Sequence, residues 1–370
     1  MKAKRQLHVA TVAAIRPDLI RLAPLIKRLD REAGIKHTFI WSNQHYDYNL
    51  RDTFFSGLKL REPDYNLQVG FDEFEDRPRP SEKQLCRLIE LLPRVLTQDH
   101  SKPDLTLFLG DSNSVLVAPI LKKLGFTIGH IEAGMRSNDF RMPEEINRRC
   151  CDLSSDLRFC YHQNYAYELE KEGFLKDNYV VGNTIKETFN SYIKPKLCDW
   201  GKKTEGYILV DLHRDELIKD QQRLQIILRY CKTAGEKYNL PVLILQFPRT
   251  MQAIANSNLD IFNLQPIPLL DYLGYMKYVY NAKFLISDSG TAQEEPCLLK
   301  TPVIVPRQFT ERPISMSEGC SFMLINPAYH TKYSFEWLDS KPKMDTAWLG
   351  DGNTSKKIVN IIKEKLKQRT

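Results

Sequence analysis

Short apolar runs of strand length alternate with helix-length amphipathic segments along almost the whole of this 370-residue chain. This alternation is typical of parallel β-sheets that are covered on both faces by helices. The strand Leu7–Ala13 and the helix Pro17–Arg31, which has a proline at its start, are the first such pair. Because 370 residues exceed the size of one ordinary hydrophobic core, the sequence predicts an α/β protein of two domains.

The alternation is interrupted at Lys194–Lys203, a segment with proline, glycine and charge but no periodicity. Such a segment indicates a linker. We therefore predict a first domain over residues 1–195 and a second over residues 204–354. A closing helix is predicted within residues 355–370, and the pattern alone allows it to pack on either domain.

Composition narrows the class of protein. Apolar residues make up 42% and charged residues 27%, as in globular domains, and no run approaches the roughly 20 apolar residues that span a bilayer. The net charge of +7 suits an anionic partner, but the basic segment Lys356–Arg369 supplies much of it and no nucleic-acid motif is visible. Eight cysteines without a C-x-x-C pair or a Cys/His ligand spacing predict reduced thiols and no structural zinc. We therefore expect a cytoplasmic protein that binds neither membrane nor nucleic acid.

The densest group of charged residues lies between His130 and Arg148. It holds three carboxylates and three arginines in two segments, His130–Arg136 and Arg141–Arg148, beside a glycine turn. The first segment ends the apolar strand Thr127–Ile131, and α/β sheets place their ligand crevices at such strand ends. A solvated helix face with weak ion pairs is the alternative. The position at a strand end favours a site for proton chemistry on an anion.

Two other loops of the first half also follow apolar strands. Ala14–Arg21 follows the first strand and opens a helix, so that its amides and Arg16 favour an anion. Gly110–Ser114 follows the strand Leu105–Leu109, which puts Asp111 where catalytic groups collect on open sheets. Each loop has an equally weighted structural alternative, a surface arginine in the first and an aspartate that caps a helix in the second.

The second half has its own anion-type turn. The strand Phe284–Ser287 runs into Asp288–Gly290 and then a helix, which offers N–H groups and a hydroxyl to a phosphate. Glu295 follows and could accept hydrogen bonds from ribose hydroxyls. His213 ends an earlier strand, where a histidine is more often structural than catalytic, and Tyr275 suits either a stacked base or helix packing.

Taken together, these motifs resemble those of the non-hydrolysing UDP-N-acetylglucosamine 2-epimerase family. The matching segments, in order, are Arg16–Asp18, Gly110–Asp111, His130–Gly134, Pro143–Arg148, Gly182–Thr184, His213–Arg214 and Asp288–Glu295. They cover nearly the whole chain, and seven motifs in order are specific where one alone would be weak. The resemblance implies two Rossmann-like domains in a GT-B arrangement, with the active site in the interdomain cleft and the helix 355–370 packed back on the first domain.

The resemblance also implies roles for single residues. Asp111, Glu132 and Glu144 match the family's catalytic acids, and Arg148 and His213 match their charged companions. The matches that would bind UDP or the rest of the substrate are Arg16, Arg21, Arg141, Tyr275, Ser289, Gly290, Thr291 and Glu295. The family acts on UDP-sugars without NAD or a metal, so no cofactor and no metal are expected. We also expect a homodimer.

The chemistry of that family explains the residue types. The proton on C2 of an N-acetyl sugar is weakly acidic, so its removal needs a carboxylate base and cations that hold the departing diphosphate. Anti elimination of UDP gives a 2-acetamidoglucal, and readdition with protonation from the other face gives the C2 epimer. Acids with separated pKa values serve the two proton transfers.

Several positions depart from the usual family pattern. Ala14–Ile15 and Arg21 differ from the usual first loop, and Leu212 and Thr291 stand where the family has glycines. Arg141 is typical of branches that act on modified UDP-sugars such as a 2,3-diacetamido uronic acid, whose carboxylate would pair with an arginine. The substrate predicted is UDP-N-acetylglucosamine or such a modified sugar, in nucleotide-sugar and surface polysaccharide biosynthesis.

Two other functions remain open. A GT-B glycosyltransferase with a UDP-sugar donor would share the fold, and a nucleotide-sugar binding protein without catalysis would fit the altered loops. The chain has no G-x-G-x-x-G after its first strand, no Walker loop and no G-x-S-x-G elbow. Nicotinamide chemistry, P-loop hydrolysis and serine acyl transfer are therefore disfavoured.

Overall fold

The structure, a computed structural model, describes residues 5–44, 55, 57–72, 77–98 and 102–367. The chain divides into two compact units. Unit 1 comprises Met1–Arg136, Met142–Asn190 and Leu349–Thr370, and unit 2 comprises Ser137–Arg141 and Ser191–Trp348. The predicted domain 1–195 and the predicted helix 355–370 both extend onto residues outside the described ranges.

Unit 1 is built on a parallel sheet. Its described strands are β1 (Leu7–Ala13), β2 (Ile35–Trp41), β3 (Tyr65–Asn66), β4 (Phe71–Asp72), β5 (Arg77–Pro78), β6 (Leu105–Leu109), β7 (Ile128–Ile131), β8 (Leu157–Cys160) and β9 (Asn178–Val180). Seven of them form the sheet in the order β3-β2-β1-β6-β7-β8-β9, and every neighbouring pair is parallel. Strands β4 and β5 form a separate antiparallel pair.

Unit 2 repeats this architecture with a smaller sheet. Its described strands are β10 (Tyr207–Asp211), β11 (Val242–Leu245), β12 (Gln265–Ile267), β13 (Ala282–Ser287), β14 (Val303–Val305) and β15 (Ser321–Met323). They pair in parallel in the order β12-β11-β10-β13-β14-β15. The predicted α/β class with two Rossmann-like domains is thus confirmed.

Helices connect the strands in both units. In chain order they are α1 (Arg16–Arg31), α2 (Ser81–Leu96), α3 (Ala118–Lys123), α4 (Pro143–Ser154), α5 (Gln163–Lys171), α6 (Thr184–Thr188), α7 (Leu197–Trp200), α8 (Asp215–Ile218), α9 (Gln221–Tyr238), α10 (Pro248–Asn256), α11 (Tyr272–Asn281), α12 (Glu295–Leu298), α13 (Pro313–Ser317), α14 (Pro327–Asp339) and α15 (Thr354–Lys367). Turns of 3-10 helix cover Asn113–Val117, Lys194–Lys196, Thr291–Gln293 and Ala347–Leu349, and a π-helical turn covers Phe189–Ile193. Of the helices in the described ranges, none combines the length and the apolar character needed to cross a membrane.

The apolar pattern of the sequence explains the packing of the first strand and helix. All but one of the residues of β1 are buried, as expected for a central strand whose sheet is covered on both faces. On α1 the buried residues Leu19, Leu22, Ile26 and Leu29 recur every three or four positions and form one apolar stripe.

Each unit has its own hydrophobic core. In unit 1 the core includes Leu88 of α2 and Phe108 of β6. In unit 2 it includes Leu228 of α9 and Phe284 of β13. All four side chains are buried, so each sheet is fixed by the helices of its own unit.

The C-terminal helix α15 belongs to unit 1, where it packs beside α1. Its apolar side chains Ile358 and Ile362 are fully buried. At its start the guanidinium of Arg28 donates a hydrogen bond of 3.0 Å to the hydroxyl of Ser355. The last helix of the sequence thus completes the unit that the first helix begins.

Two features of the fold were not predicted from the sequence. The segment predicted as an aperiodic linker is largely helical, because it consists of a 3-10 turn at Lys194–Lys196 followed by the short helix α7. Turns of this length are too short to show a helical period in the sequence. The fold also brings Cys297 and Cys320, which are separated by 23 positions, together with their Cα atoms 5.3 Å apart.

The backbone of Gly134 gives a test of this fold. Gly134 has a φ of 82°, and a Cβ added there would lie 2.2 Å from the carbonyl oxygen of Tyr165. Gly173 has a similar φ of 92°, but a Cβ there would meet nothing within 4 Å. We expect Gly173→Ala to cost about 1 to 2 kcal/mol for its left-handed backbone.

We expect Gly134→Ala to cost at least roughly 3 kcal/mol, because backbone strain and overpacking then add. Urea unfolding followed by circular dichroism checks this difference. Equal midpoints for the two variants would contradict the packing described for Gly134.

Candidate active site

The candidate site of unit 1 forms where three neighbouring parallel strands end. Strands β1, β6 and β7 lie side by side, so the residues that follow them meet at one edge of the sheet. The chain reverses its strand order between β1 and β6, and such a reversal opens a crevice at the carboxyl ends of the strands. Asp18 and Arg21 follow β1, Asp111 follows β6, and Glu132 follows β7. We call this group, together with Glu144, Glu145 and Arg148 of α4, the unit 1 cluster.

Asp18 closes the loop after β1. Its carboxylate accepts hydrogen bonds from the backbone N–H groups of Ala14 and Ile15, at 3.0 and 3.1 Å. Burial raises the pKa of Asp18 to about 6, although Arg21 and the two N–H groups act in the opposite direction. This residue stands in the motif that was predicted to favour an anion, and it adds a carboxyl group that titrates near neutral pH.

Arg21 and Glu132 form a buried ion pair. The Arg21 guanidinium contacts the Glu132 carboxylate directly and lies 3.5 Å from Asp18. Glu132 has a φ of 75°, a left-handed backbone that costs a non-glycine residue about 1 to 3 kcal/mol and that is concentrated at functional sites. Arg21, which was predicted to contact substrate, is thus engaged with an acid of the same cluster.

Asp111 is held by the helix α4. Arg148 contacts the Asp111 carboxylate through one nitrogen and donates a hydrogen bond of 2.8 Å to Glu145 through another. The side-chain amide of Asn147 donates 2.8 Å to the carbonyl oxygen of Asp111. A guanidinium beside a carboxylate favours the charged form, which is the form that can accept a proton.

His130 is a fully buried cation in the strand β7. Its Nδ1 lies 2.7 Å from the Asp152 carboxylate and its Nε2 lies 2.8 Å from the carbonyl oxygen of Gly110. Burial opposes the charge, but Cys151 and Asp152 outweigh it and raise the pKa of His130 well above its ordinary value. Because both ring nitrogens face acceptors, the imidazolium ties β7 and α4 to the residue that precedes Asp111.

The remaining predicted residues of unit 1 are more exposed. Glu144 lies in the first turn of α4 and is half-buried, whereas its neighbour Glu145 is fully buried. Arg16 is the half-buried first residue of α1. Both positions are at helix starts, where solvent and ligand can reach the side chains.

Unit 2 forms its candidate site in the same way. The strand order reverses between β10 and β13, and Asp211 ends β10 while Asp288 follows β13. The buried Asp288 carboxylate accepts the backbone N–H groups of His213 and Arg214, at 3.0 and 2.9 Å. Burial raises the pKa of Asp288, and the positive charge of His213 acts against this rise. We call Asp211, His213, Asp288 and the turn and tyrosines described next the unit 2 cluster.

The Ser289–Thr291 turn leads from β13 into α12. The hydroxyls of Ser289 and Thr291 lie 3.2 Å apart. Gly290 is required by packing, because a Cβ there would lie 2.6 Å from a guanidinium nitrogen of Arg312. Ser289, Gly290 and Thr291, three of the predicted phosphate-binding residues, are therefore brought together on one compact turn.

Both tyrosines of α11 in this cluster donate hydrogen bonds to acids. The Tyr272 hydroxyl donates to Glu295 at 2.6 Å, and the Tyr275 hydroxyl donates to Asp211 at 2.9 Å. Burial and the neighbouring carboxylates raise the pKa of both phenols well above the ordinary value, so they remain donors. Glu295, the predicted ribose acceptor, is thus oriented by a tyrosine.

Arg141 lies outside both clusters. Its guanidinium bonds the Asp139 carboxylate at 2.9 Å and the side-chain oxygen of Gln308 at 3.0 Å, while its side chain remains 65% exposed. The partners belong to unit 2, as does Arg141 itself. These contacts engage all three guanidinium nitrogens, although much of the side chain is open to solvent.

One group in the described part of the chain has metal-type geometry. The ligand atoms of Asp211, His213 and Asp288 all lie within 4.8 Å of one another. His213 Nδ1 points at the Asp211 carboxylate at 2.9 Å, and Asp288 already accepts two backbone N–H groups. The contact of 2.9 Å places a proton between His213 Nδ1 and the Asp211 carboxylate.

Sequence reasoning missed several members of the clusters. Glu145 with Arg148 and Arg149 has the three- and four-residue spacing of helical ion pairs, a signal that was available. Asp152 gave no such signal, since its partner His130 lies 22 positions away.

Comparison with known proteins gives concordant matches. A family model described as UDP-N-acetylglucosamine 2-epimerase matches residues 27–363. A relative from Methanococcus maripaludis named UDP-N-acetylglucosamine 2-epimerase is 32% identical over 96% of this chain and 98% of its own length. The crystal structure of the Methanocaldococcus jannaschii UDP-GlcNAc 2-epimerase in complex with UDP-GlcNAc and UDP matches with a TM-score of 0.84 at 29% identity, over 97% of this chain and 100% of that one. A relative from Pseudomonas aeruginosa named UDP-2,3-diacetamido-2,3-dideoxy-D-glucuronate 2-epimerase is 28% identical over 82% of this chain and 84% of its own length.

The titration of Asp18 gives a test of the unit 1 cluster. Because its pKa rises from 3.8 to about 6 on folding, the unfolded state loses the proton first as the pH increases. The protonated group therefore contributes about 2 to 3 kcal/mol to the free energy of unfolding at low pH, and this contribution is lost as the pH rises from 3.8 to about 6. Asn at this position does not titrate.

We expect Asp18→Asn to gain stability relative to the wild type, by about 2 to 3 kcal/mol, when the pH is raised from 4 to 7.5. Urea unfolding of both proteins at several pH values measures this change. A stability difference that is independent of pH, or that changes in the opposite direction, would show that Asp18 is not a buried acid.

Proposed function

The chain belongs to the UDP-N-acetylglucosamine 2-epimerase family, and we propose that it interconverts the two C2 epimers of a UDP-N-acetylhexosamine. The observation that carries this proposal is the convergence of Asp111 and Glu132, each against a buried arginine, at the strand reversal of unit 1. The two carboxylates are therefore bases that the arginines hold in fixed positions. The relatives named UDP-N-acetylglucosamine 2-epimerase are isomerases of the same kind.

In the proposed reaction the acids of unit 1 move the proton on C2. One carboxylate among Asp111, Glu132 and Glu144 takes the proton, the electron pair forms the C1–C2 double bond, and the C1–O bond to UDP breaks. The resulting 2-acetamidoglucal receives a proton on the opposite face of C2 while a diphosphate oxygen returns to C1. Arg148 positions Asp111 and Arg21 positions Glu132, so that neither acid has to be oriented at the moment of reaction.

We propose that unit 2 holds the UDP part of the same substrate molecule. The hydroxyls and N–H groups of Ser289–Thr291 suit the phosphates, and the oriented carboxylate of Glu295 suits the ribose hydroxyls. His213 provides positive charge for the diphosphate, and Tyr275 lies near the base. On the first loop Arg16 contacts phosphate, and Arg21 adds positive charge while it holds Glu132. This use of both units corresponds to the GT-B arrangement that the family resemblance implies.

The sugar is UDP-N-acetylglucosamine or a modified form that carries an extra acetamido group and a carboxylate. Arg141, whose side chain is 65% exposed, would suit such a carboxylate, and the relative from Pseudomonas aeruginosa is named for a substrate of this type. Homodimer formation, a cytoplasmic location and a role in surface polysaccharide synthesis belong to the same proposal.

Incubation of the protein with a panel of UDP-N-acetylhexosamines in heavy water tests the activity. We expect deuterium at C2 of the substrate and of its epimer for the correct sugar, read by NMR. Transfer of the sugar to an acceptor without label at C2 would instead show a glycosyltransferase. Tight binding of UDP with no change in any sugar would show a binding protein.

The role of Glu132 is tested by Glu132→Gln. We expect the rate of deuterium exchange at C2 to fall by roughly 10² to 10⁴, because the amide cannot accept the proton, while UDP binding is retained. The control is Glu168→Gln, a partly exposed carboxylate that pairs with Lys171 on α5 and is expected to keep the wild-type rate. Exchange at the wild-type rate in Glu132→Gln would remove Glu132 from the proton transfers.

A further inference from the structure

The unit 2 cluster contains a chain of hydrogen bonds that ends on His213. We propose that Asp211 is a positioning residue, which holds His213 as an imidazolium in a fixed orientation. In that orientation His213 Nε2 donates a hydrogen bond to the departing diphosphate. This inference rests on the proposed function, because it assigns a task to His213 within that reaction.

Asp211 has both of its carboxylate oxygens engaged. One oxygen accepts from His213 Nδ1 at 2.9 Å. The other accepts from the Tyr275 hydroxyl at 2.9 Å and from the Ser287 hydroxyl at 3.3 Å. These partners come from α11, from β13 and from the loop after β10, so Asp211 is fixed by three separate segments of the fold.

The two acids near His213 have different tasks. Asp288 accepts the backbone N–H groups of His213 and Arg214, and its nearer oxygen lies 3.6 Å from the ring nitrogen Nδ1. Asp211 contacts the ring itself at 2.9 Å. Asp288 therefore fixes the loop, while Asp211 fixes the orientation of the imidazole.

A second constraint on the His213 ring comes from Phe247, which covers one face of it. The centroids of the two rings are 4.7 Å apart, with an angle of 35° between their planes. With Nδ1 directed at a buried carboxylate and one face covered, Nε2 is the ring nitrogen turned away from Asp211. About a third of the His213 side chain is exposed, so a ligand can reach it.

The charges around His213 favour the imidazolium. The groups that act on it are Asp211, Asp288 and Arg214, with Tyr275 acting through Asp211. Burial opposes the charge and Arg214 repels it, but Asp211 and Asp288 outweigh both and raise the pKa of His213 above its ordinary value of 6.5. Asp211 makes the larger of the two contributions, because it bonds the ring at 2.9 Å whereas Asp288 lies 3.6 Å from it.

A cationic donor is useful at this point because of how charge changes in the reaction. As the C1–O bond breaks, the diphosphate oxygen gains negative charge, and a hydrogen bond from a cation strengthens with it. The interaction is therefore stronger in the transition state than with the intact substrate, which is the condition for catalysis. A neutral imidazole held in the same place would provide much less.

The first experiment measures the His213 pKa by NMR in the protein without ligand. The His213 signals are identified by their absence in His213→Asn. We expect a value above 6.5 in the wild type, a lower value in Asp211→Asn, and a value that is not lowered in Ser287→Ala, which keeps the Asp211 charge. A wild-type value at or below 6.5, or no decrease in Asp211→Asn, would overturn the proposal, and the wild-type measurement holds even if Asp211→Asn does not fold.

The second experiment measures UDP affinity against pH for the same proteins. A charge-assisted contact is worth roughly tenfold in affinity, so we expect Asp211→Asn to bind UDP up to roughly tenfold more weakly than the wild type at a pH between the two His213 pKa values measured in the first experiment. The difference should shrink to less than about twofold at a pH below both values, where both proteins have a charged His213. Ser287→Ala should follow the pH dependence of the wild type.

Two results separate the inference from the function on which it rests. If the wild type does not bind UDP, the proposed function itself fails. If UDP binds and the ratio of the two affinities is constant with pH, the proposed function stands and Asp211 is only a packing residue.

Discussion

Each parallel sheet reverses its strand order beside its first strand, and the two candidate clusters depend on that reversal. The reversal lies between β1 and β6 in unit 1 and between β10 and β13 in unit 2. Helices leave a sheet on opposite faces at such a point and open a crevice at the strand ends. Residues that follow these strands therefore come within hydrogen-bonding distance although they are far apart in the sequence. His213 and Asp288, separated by 75 positions, are an example.

This convergence places many charges in the interior, and their mutual pairing makes it tolerable. In unit 1 opposite charges alternate through Asp111, Arg148, Glu145, Arg149, Glu172, Arg136, Asp152 and His130. Loss of one partner of a buried pair costs about 3 to 5 kcal/mol, because a charge is left uncompensated. The position of Asp111 is thus tied to that of His130, whose Nε2 also bonds the carbonyl oxygen of Gly110. The acid that is proposed to act on the sugar belongs to a network that holds four segments of unit 1 together.

The sequence was informative about the elements and about the residues at their ends, and less so about the pairs these residues form. Strands Leu7–Ala13 and Leu105–Leu109 have the predicted bounds, because long apolar runs need only local information. The ion pair of Asp111 with Arg148 joins residues 37 positions apart, so local patterns could not give it. For the same reason the proximity of Cys297 and Cys320 was missed. Short helices such as Leu197–Trp200 lack the length that periodicity requires.

The two clusters use charges of opposite sign for the same two tasks, to fix a group and to present one. In unit 1 buried arginines fix carboxylates, so that the group presented is a base. In unit 2 buried carboxylates fix a histidine, so that the group presented is a cationic donor. Removal of a carbon-bound proton and departure of a diphosphate need these two kinds of group at the same time. Each kind is fixed by counter-charges of its own unit, so the carboxylates of unit 1 and the imidazolium of unit 2 can serve one reaction without being each other's ion-pair partners.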